Sequence, residues 1–330
     1  MLNVAVVGAG YIGLAHIAAY KQIDNAQVVA VIDTNSEKGQ EGAKEAGSKS
    51  YTSLKDALDN EKIDLVDICL PTVLHEEFTI EAANAKCHVL CEKPVTFTLE
   101  SYDRMIKACE DNDVYFMVGQ VARFWPEFMI IKDYVEKDEL GDIHMIYEKR
   151  LSRHPNWSDW HTNPEISGGG LYDMNIHDID YLYSLFGTPE QLYATGWQSP
   201  SGCWNHVSTN LTWDNGTQAI VETSLEMTGE FPFSIEFRGT GDKGTIHYSM
   251  RGGRNIKDEA SASFYFFPEG EESQELEAEQ TDMFVTEISS YVNAIENGTE
   301  APITPTESRD VLKITLAIKD SLETGEVVKL

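Results

Sequence analysis

A glycine-rich turn set between a strand and a helix, at the very start of the chain, constrains the fold more than any other feature. Residues 3–7 form a short, mostly apolar, β-branched run. Gly8-Ala9-Gly10-Tyr11-Ile12-Gly13 follows directly, and helical spacing begins within it and continues over residues 11–20. In that context each glycine has a task. Gly8 permits the tight turn, Gly10 lets backbone approach a pyrophosphate, and Gly13 allows helix and strand to pack closely. The helix start at Tyr11 and Ile12 offers unpaired N–H groups and the positive end of a dipole. Twenty residues beyond Gly13, Asp33 ends the second apolar run, where a carboxylate can take both ribose hydroxyls. A 2′-phosphate there would meet like charge, and Thr34-Asn35 supplies no arginine to offset it. NAD is therefore expected in preference to NADP. The competing reading is a glycine turn with a solvated strand-end aspartate, which leaves the coincidence of strand, turn, helix and carboxylate unexplained.

The pattern of the opening turn continues. Apolar runs at residues 28–32, 65–70, 88–91 and 114–118 alternate with helical stretches at 36–46, 76–85 and 99–111. Strands apolar throughout and separated by helices imply a parallel sheet covered on both faces. Residues 1–120 thus read as a doubly wound Rossmann domain of the α/β class. Beyond them the texture changes. Helices at 126–137 and 171–186 precede serial strand candidates at 191–197, 208–213, 218–226, 234–238, 244–249 and 262–267, with late helices at 283–296 and 307–323. Strands in series imply an antiparallel sheet, so residues 121–330 read as an α+β domain for substrate binding and oligomerisation, its last helix free to pack back on the first domain.

Charge narrows the functions. With 25 Lys+Arg against 55 Asp+Glu, the formal net charge is −30. Such a surface repels phosphate backbones and anionic bilayers, so neither nucleic acid nor membrane is an expected partner. No run of about 18 apolar residues could span a bilayer. The acidic stretch 269–279, with six Glu and no positive charge, reads as a solvated loop or strand edge. The five cysteines (Cys69, Cys87, Cys91, Cys109 and Cys203) form no CxxC, four of them lie in apolar surroundings, and a reducing, cytoplasmic setting is expected.

Two further segments carry chemistry. The fifth strand runs into Cys91-Glu92-Lys93-Pro94, and the carboxyl ends of strands are where such sheets hold ligands. Lys93 then projects toward the nicotinamide; the alternative is a solvated strand-end charge. Downstream, residues 168–180 read GGGLYDMNIHDID, in which the glycines suggest a flexible entry to a helix and Asp173 and His177 stand four residues apart on one face. A carboxylate beside an imidazole orients it and raises its basicity, as a general base requires. An ordinary surface pair has the same spacing. A metal held by His177 with Asp173 or Asp178 lacks a third ligand, so no metal is expected.

Taken together, GAGYIG at 8–13, VDICLPTVLHEEFTIEAANAKCHVLCEKP at 66–94 and GGGLYDMNIHDID at 168–180 resemble the glucose–fructose oxidoreductase/inositol dehydrogenase family over essentially the whole chain. The resemblance implies NAD(P)-dependent oxidation or reduction at a sugar or cyclitol carbon. It also implies a C-terminal domain with a large open sheet used for dimer or tetramer contacts. By position, Lys93 matches the lysine that hydrogen-bonds the reacting oxygen, and Asp173 and His177 match the aspartate and the acid/base histidine. Glu92, Pro71 and His75 match residues lining the cofactor. Where the family often carries Thr-Pro-Asn, this chain has Leu70-Pro71-Thr72, so Thr72 stands at an asparagine position near the nicotinamide ribose.

Substrate contacts are expected from the segments at 121–127 and 153–161, where polar groups lie among tryptophans, a mixture suited to the C–H faces and hydroxyls of a sugar. Arg123, His154 and Trp160 are the candidates there, and each tryptophan has packing at the domain junction as its ordinary alternative. Lys149, Arg150 and Arg153 are further local cations. A sugar or cyclitol dehydrogenase is the leading reading. An NAD-dependent glycoside hydrolase on the same scaffold and a non-catalytic dinucleotide-binding regulator are the alternatives.

Overall fold

The computed structural model describes residues 1–154, 163–252 and 261–330. Two compact units divide the chain: Met1–Phe124 with Thr281–Arg309, and Trp125–Gln280 with Asp310–Leu330.

The first unit opens with β1 (Leu2–Val7), α1 (Tyr11–Tyr20), β2 (Ala26–Ile32), α2 (Ser36–Ala46), β3 (Lys49–Tyr51) and α3 (Leu54–Asn60). It continues with β4 (Leu65–Ile68), α4 (His75–Asn84), β5 (His88–Glu92), α5 (Leu99–Asp111) and β6 (Phe116–Gly119). The six strands are parallel in the order β3-β2-β1-β4-β5-β6. This is the dinucleotide-binding order, in which the sequence of strands reverses beside β1 and opens a crevice at their carboxyl ends. Val7 lies level with both Ile32 and Ile68, so β1, β2 and β4 end together and the turns after them form one rim. Caps set the helix limits: the Asn35 side chain accepts the Glu37 and Lys38 N–H groups at the start of α2, and Gly47 ends it in the left-handed region. Neither β3 nor α3 is apparent from the sequence; β3 is a three-residue Lys-Ser-Tyr edge with no apolar run.

The second unit comprises α6 (Pro126–Glu136), β7 (Ile143–Leu151), α7 (Pro164–Ser167) and a π-helical turn (Leu171–Asn175) that runs into α8 (Ile176–Phe186). Then come β8 (Gln191–Gln198), β9 (Trp204–Thr212), β10 (Gln218–Ser224), β11 (Ser234–Gly241), β12 (Gly244–Arg251), β13 (Ser261–Pro268) and β14 (Gln274–Glu275). The chain next forms α9 (Met283–Asn297) in the first unit, then α10 (Pro305–Thr324), and ends in β15 (Val328–Lys329) of the second. The nine-stranded sheet has the order β14-β13-β12-β11-β7-β10-β9-β8-β15 and is antiparallel except between β7 and β10. Central β7 escapes a sequence search because its buried face carries Glu148 and Arg150 beside Ile146. That face packs on Phe128 of α6 and Tyr181 of α8, whose rings stack at 4.5 Å with Phe237 and Tyr248 against them. The acidic stretch contains the exposed edge strand β14.

Helix α9 explains why Thr281–Arg309 belongs to the first unit. Ile288, Tyr291 and Val292 enter the core formed by Val4, Val6, Leu65, Leu90 and Met117. The Tyr291 hydroxyl donates to the Val89 carbonyl at 2.7 Å.

Candidate functional site

In the first unit the glycine turn is built as its spacing demands. Gly8 has φ +99°, and a side chain there would come within 2.4 Å of the Cys69 carbonyl. A Cβ on Gly13 would stand 1.8 Å from the Gly8 carbonyl oxygen. Gly10, by contrast, faces open space, and the helix it begins has no side-chain cap. Two glycines therefore hold the turn together while the third leaves room for an incoming phosphate over the exposed N-terminus of α1, with Tyr11 and Ile12 in its first turn. The Asp33 carboxylate sits at the end of β2 with one oxygen accepting the Ala9 N–H (2.9 Å) and the other the Asn35 N–H (2.8 Å). It is aimed by the turn itself.

Along the rim after β4, Pro71 leads into a short 3₁₀ turn that begins at the buried Thr72. His75 is buried, and burial pulls its pKa below the ordinary histidine value, leaving a neutral ring with one N–H. Nε2, at 2.7 Å, donates to the Leu70 carbonyl, while Nδ1 faces the carbonyls of Pro94 and Val95. His75 thus sits between the loop after β4 and the loop after β5, its one N–H serving one side at a time. Lys93 follows β5, partly buried, and its bond to Pro94 is cis. The Lys93 N–H donates to Glu92 Oε2 at 3.0 Å.

Sequence reasoning did not anticipate what lies beneath the rim. His16 of α1 is wholly buried between Asp67 of β4 (Nδ1 to Oδ2, 2.9 Å) and Glu92 (Nε2 to Oε1, 3.1 Å). The Cys69 thiol donates to Asp67 Oδ1 at 3.5 Å. Burial opposes a charge on His16, yet the Asp67 carboxylate holds its pKa well above the ordinary value. The signal available in the sequence was an aspartate inside the strand Leu-Val-Asp-Ile, which has no polar face to put it on. Among the described residues, His16, Asp67 and Cys69 also form the one converging set of metal-ligand types.

In the second unit the glycine run is shaped by packing rather than by mobility. Gly168 and Gly169 have φ +69° and +73°, and a Cβ on Gly169 would meet the Cys203 Cβ at 2.6 Å. The Gly170 N–H donates to Asn205 Oδ1 of β9 at 2.9 Å. The expected flexible entry is instead a tight docking of backbone on β9. The π-helical turn follows, and from Leu171 to Asp180 only Asp173 and His177 are not buried. These two are the half-buried positions of the stretch, and π turns recur at functional sites. Asp178 points the other way. Its Oδ1 accepts from Arg150 Nε at 2.7 Å and its Oδ2 from the Thr223 hydroxyl at 3.2 Å. Burial raises the pKa of both Asp178 and its neighbour Glu148; with Arg150 against Asp178, the proton resides on Glu148.

Of the expected substrate contacts, Arg123 lies in the first unit, where Nη1 donates to Glu307 Oε1 at 2.9 Å. Glu307 also accepts the Thr304 N–H, closing the start of α10. His154 follows β7 in the second unit, and Trp160 lies outside the described residues. Lys149 is paired with Glu236 at 2.6 Å and Arg150 with Asp178, so both cations are neutralised where they stand. None of the described helices is long and apolar enough to cross a membrane.

Comparison with known proteins follows the same division. Residues 2–120 match the oxidoreductase family described as having an NAD-binding Rossmann fold, and residues 128–247 match the GFO/IDH/MocA C-terminal domain. An uncharacterised oxidoreductase of Bacillus subtilis, YrbE, is 30% identical over 98% of this chain and 95% of its own. Myo-inositol 2-dehydrogenase of Thermotoga maritima is 27% identical over 100% of this chain and 98% of its own. An Escherichia coli 2,7-anhydro-N-acetylneuraminate hydratase is 33% identical over 59% of this chain and 53% of its own. With the parallel strand order and the glycine turn, these matches place the chain in the GFO/IDH/MocA family, as an oxidoreductase with an NAD-binding Rossmann domain.

Proposed function

We propose that this protein is an NAD-dependent dehydrogenase acting on a hydroxyl-bearing carbon of a sugar, sugar derivative or cyclitol, with Lys93, Asp173 and His177 as its catalytic groups. The observation that carries the reading is that Asp173 and His177 alone are only half-buried in an otherwise buried helical stretch, in a chain whose first unit carries an open phosphate-binding turn. Gly8, Gly10, Tyr11, Ile12, Gly13, Asp33, Pro71, Thr72, His75 and Glu92 bind the cofactor or shape its rim. Once bound, the nicotinamide serves as hydride acceptor, or as donor in the reverse direction. His177 accepts the proton of the reacting hydroxyl, and Asp173 stabilises the imidazolium so formed. Lys93 donates a hydrogen bond to the same oxygen as negative charge develops on it. The fixed Asp33 carboxylate would repel a 2′-phosphate, which supports NAD over NADP. Arg123 and His154, with Trp160, are proposed substrate contacts. Pairing of Lys149 and Arg150 with carboxylates leaves less local positive charge for an anionic ligand and favours a neutral one. We place the protein in the cytoplasm as a homodimer or homotetramer.

A second reading keeps the same groups but returns the hydride before release, so that a bond is broken with no net redox change. The hydratase relative, whose name implies no net oxidation, favours keeping it in view. Incubation with NAD and a panel of sugars, inositols and glycosides separates the two. Net formation of reduced nicotinamide supports the dehydrogenase, whereas product without it supports the second reading. His177→Ala is expected to lower kcat by about 100-fold or more while NAD affinity stays within about threefold. Equal turnover in the variant would sink the assignment.

A further inference from the structure

Apart from Glu92, the buried set around His16 has no part in the mechanism above, yet it touches both the phosphate-binding helix and the strand that leads into Lys93. His16 belongs to the helix that begins at the glycine turn, and Glu92 immediately precedes Lys93. A neutral imidazole has one N–H. Here each ring nitrogen faces a carboxylate oxygen: Nδ1 hydrogen-bonds Asp67 Oδ2 at 2.9 Å, and Nε2 lies 3.1 Å from Glu92 Oε1, at ion-pair distance but without hydrogen-bond alignment, a setting that favours a ring carrying both protons. Glu92 spends its second oxygen on the Lys93 N–H. A side chain on Gly119 of β6 would stand 3.1 Å from Glu92 Oε1, so the neighbouring strand is kept bare to seat this carboxylate.

The other groups facing the ring do not supply the missing charge. The Tyr20 hydroxyl of α1 has its pKa pushed up, first by burial and then by Asp67, and stays neutral. Burial likewise drives the Cys69 thiol up, so it remains protonated. The Phe284 ring of α9 closes the apolar side at 5.2 Å. Both imidazole nitrogens already face carboxylate oxygens, which favours a proton over a metal ion at this cluster. Two carboxylates buried without a cation would be costly, and His16 is the cation present.

We propose that His16 is a positioning residue: as an imidazolium it clamps the Glu92 carboxylate, and through it the backbone of Lys93, onto the phosphate-binding helix. The lysine and the cofactor turn are thereby held as one rigid body. This rests on the assignment of Lys93 as a catalytic group. The consequence is that losing the charge on His16 harms the chemical step more than it harms cofactor binding.

The test combines a double-mutant cycle with a probe of Lys93 that needs no substrate. His16→Gln and Glu92→Gln are each expected to lower kcat about 10- to 100-fold, and in His16→Gln NAD affinity and KM should stay within about threefold. Because the two act through one contact, the double variant should be no more than about threefold slower than the slower single. In parallel, the pH-midpoint for acetylation of the Lys93 amine, read by peptide mass spectrometry, should shift by about half a unit or more in His16→Gln. It should not shift in Cys109→Ala, a core change in α5 away from the cluster. Multiplicative losses in the double variant, an unshifted Lys93 midpoint, or one equivalent of zinc in the purified protein would each overturn the proposal. If no compound in the panel is turned over by the unaltered protein, the proposed function fails while the acetylation arm still decides this inference. If His16→Gln does not fold, Glu92→Gln carries the same comparison.

Discussion

Three glycines one turn apart do different work, and single methyl groups separate their roles. Gly13→Ala drives a Cβ into the Gly8 carbonyl and should destabilise the protein by roughly 3 kcal/mol or more, read by denaturant titration. Gly10→Ala adds its methyl to open space. It should leave Tm within about 2 °C while weakening NAD binding about tenfold or more by calorimetric titration. The glycine spacing and Asp33 were legible because they are local in the chain. The His16 cluster was not, since its members lie on three elements and meet only through the sheet order. It leaves a signature in the pH dependence of stability. A histidine with a raised folded pKa contributes fully below its ordinary value of about 6.5 and loses that contribution as pH rises through the folded value. His16→Gln should therefore flatten the alkaline limb of the stability profile, measured by urea unfolding from pH 6 upward.

At the scale of elements, the helix bearing Asp173 and His177 is held from below by a charged network on central β7. Asp178→Asn leaves the buried Arg150 without its carboxylate and should cost about 3–5 kcal/mol. Glu148→Gln should be nearly neutral, because the native side chain already carries a proton. The sign is the reverse of a salt-bridged acid. A carboxyl whose folded pKa is raised contributes most at low pH and becomes a liability as pH climbs above the ordinary carboxylate range. The Gln variant should gain on the native protein as pH rises, and thermal unfolding between pH 5 and 9 checks it. Strand β7 itself was invisible in the sequence for the same reason that it matters: its inward face alternates an apolar residue with Glu148 and Arg150, which reads as a solvated segment until the partners across the sheet are known. The apolar strands of the first unit needed no partner to be recognised.

At the scale of the whole molecule, the nine-stranded sheet packs helices on one face, and among the described residues no helix covers the other. Met145, Tyr193, Trp197, Ile220 and Phe267 project from it, interspersed with the Lys149–Glu236 and His206–Glu222 pairs. Such a broad, partly apolar face suits pairing with a second copy. Ile220→Glu combined with Tyr193→Glu should shift the mass found by light scattering toward the monomer while circular dichroism stays unchanged. An unchanged mass would overturn pairing through this face. The return of Thr281–Arg309 to the first unit bears on how the protein is made. The nucleotide-binding core lacks Ile288, Tyr291 and Val292 until synthesis has passed residue 292, long after the glycine turn at 8–13 has emerged, so that core closes only across an intervening second unit. Until then the seat of Tyr291, beside the Val89 carbonyl, has no side chain to fill it.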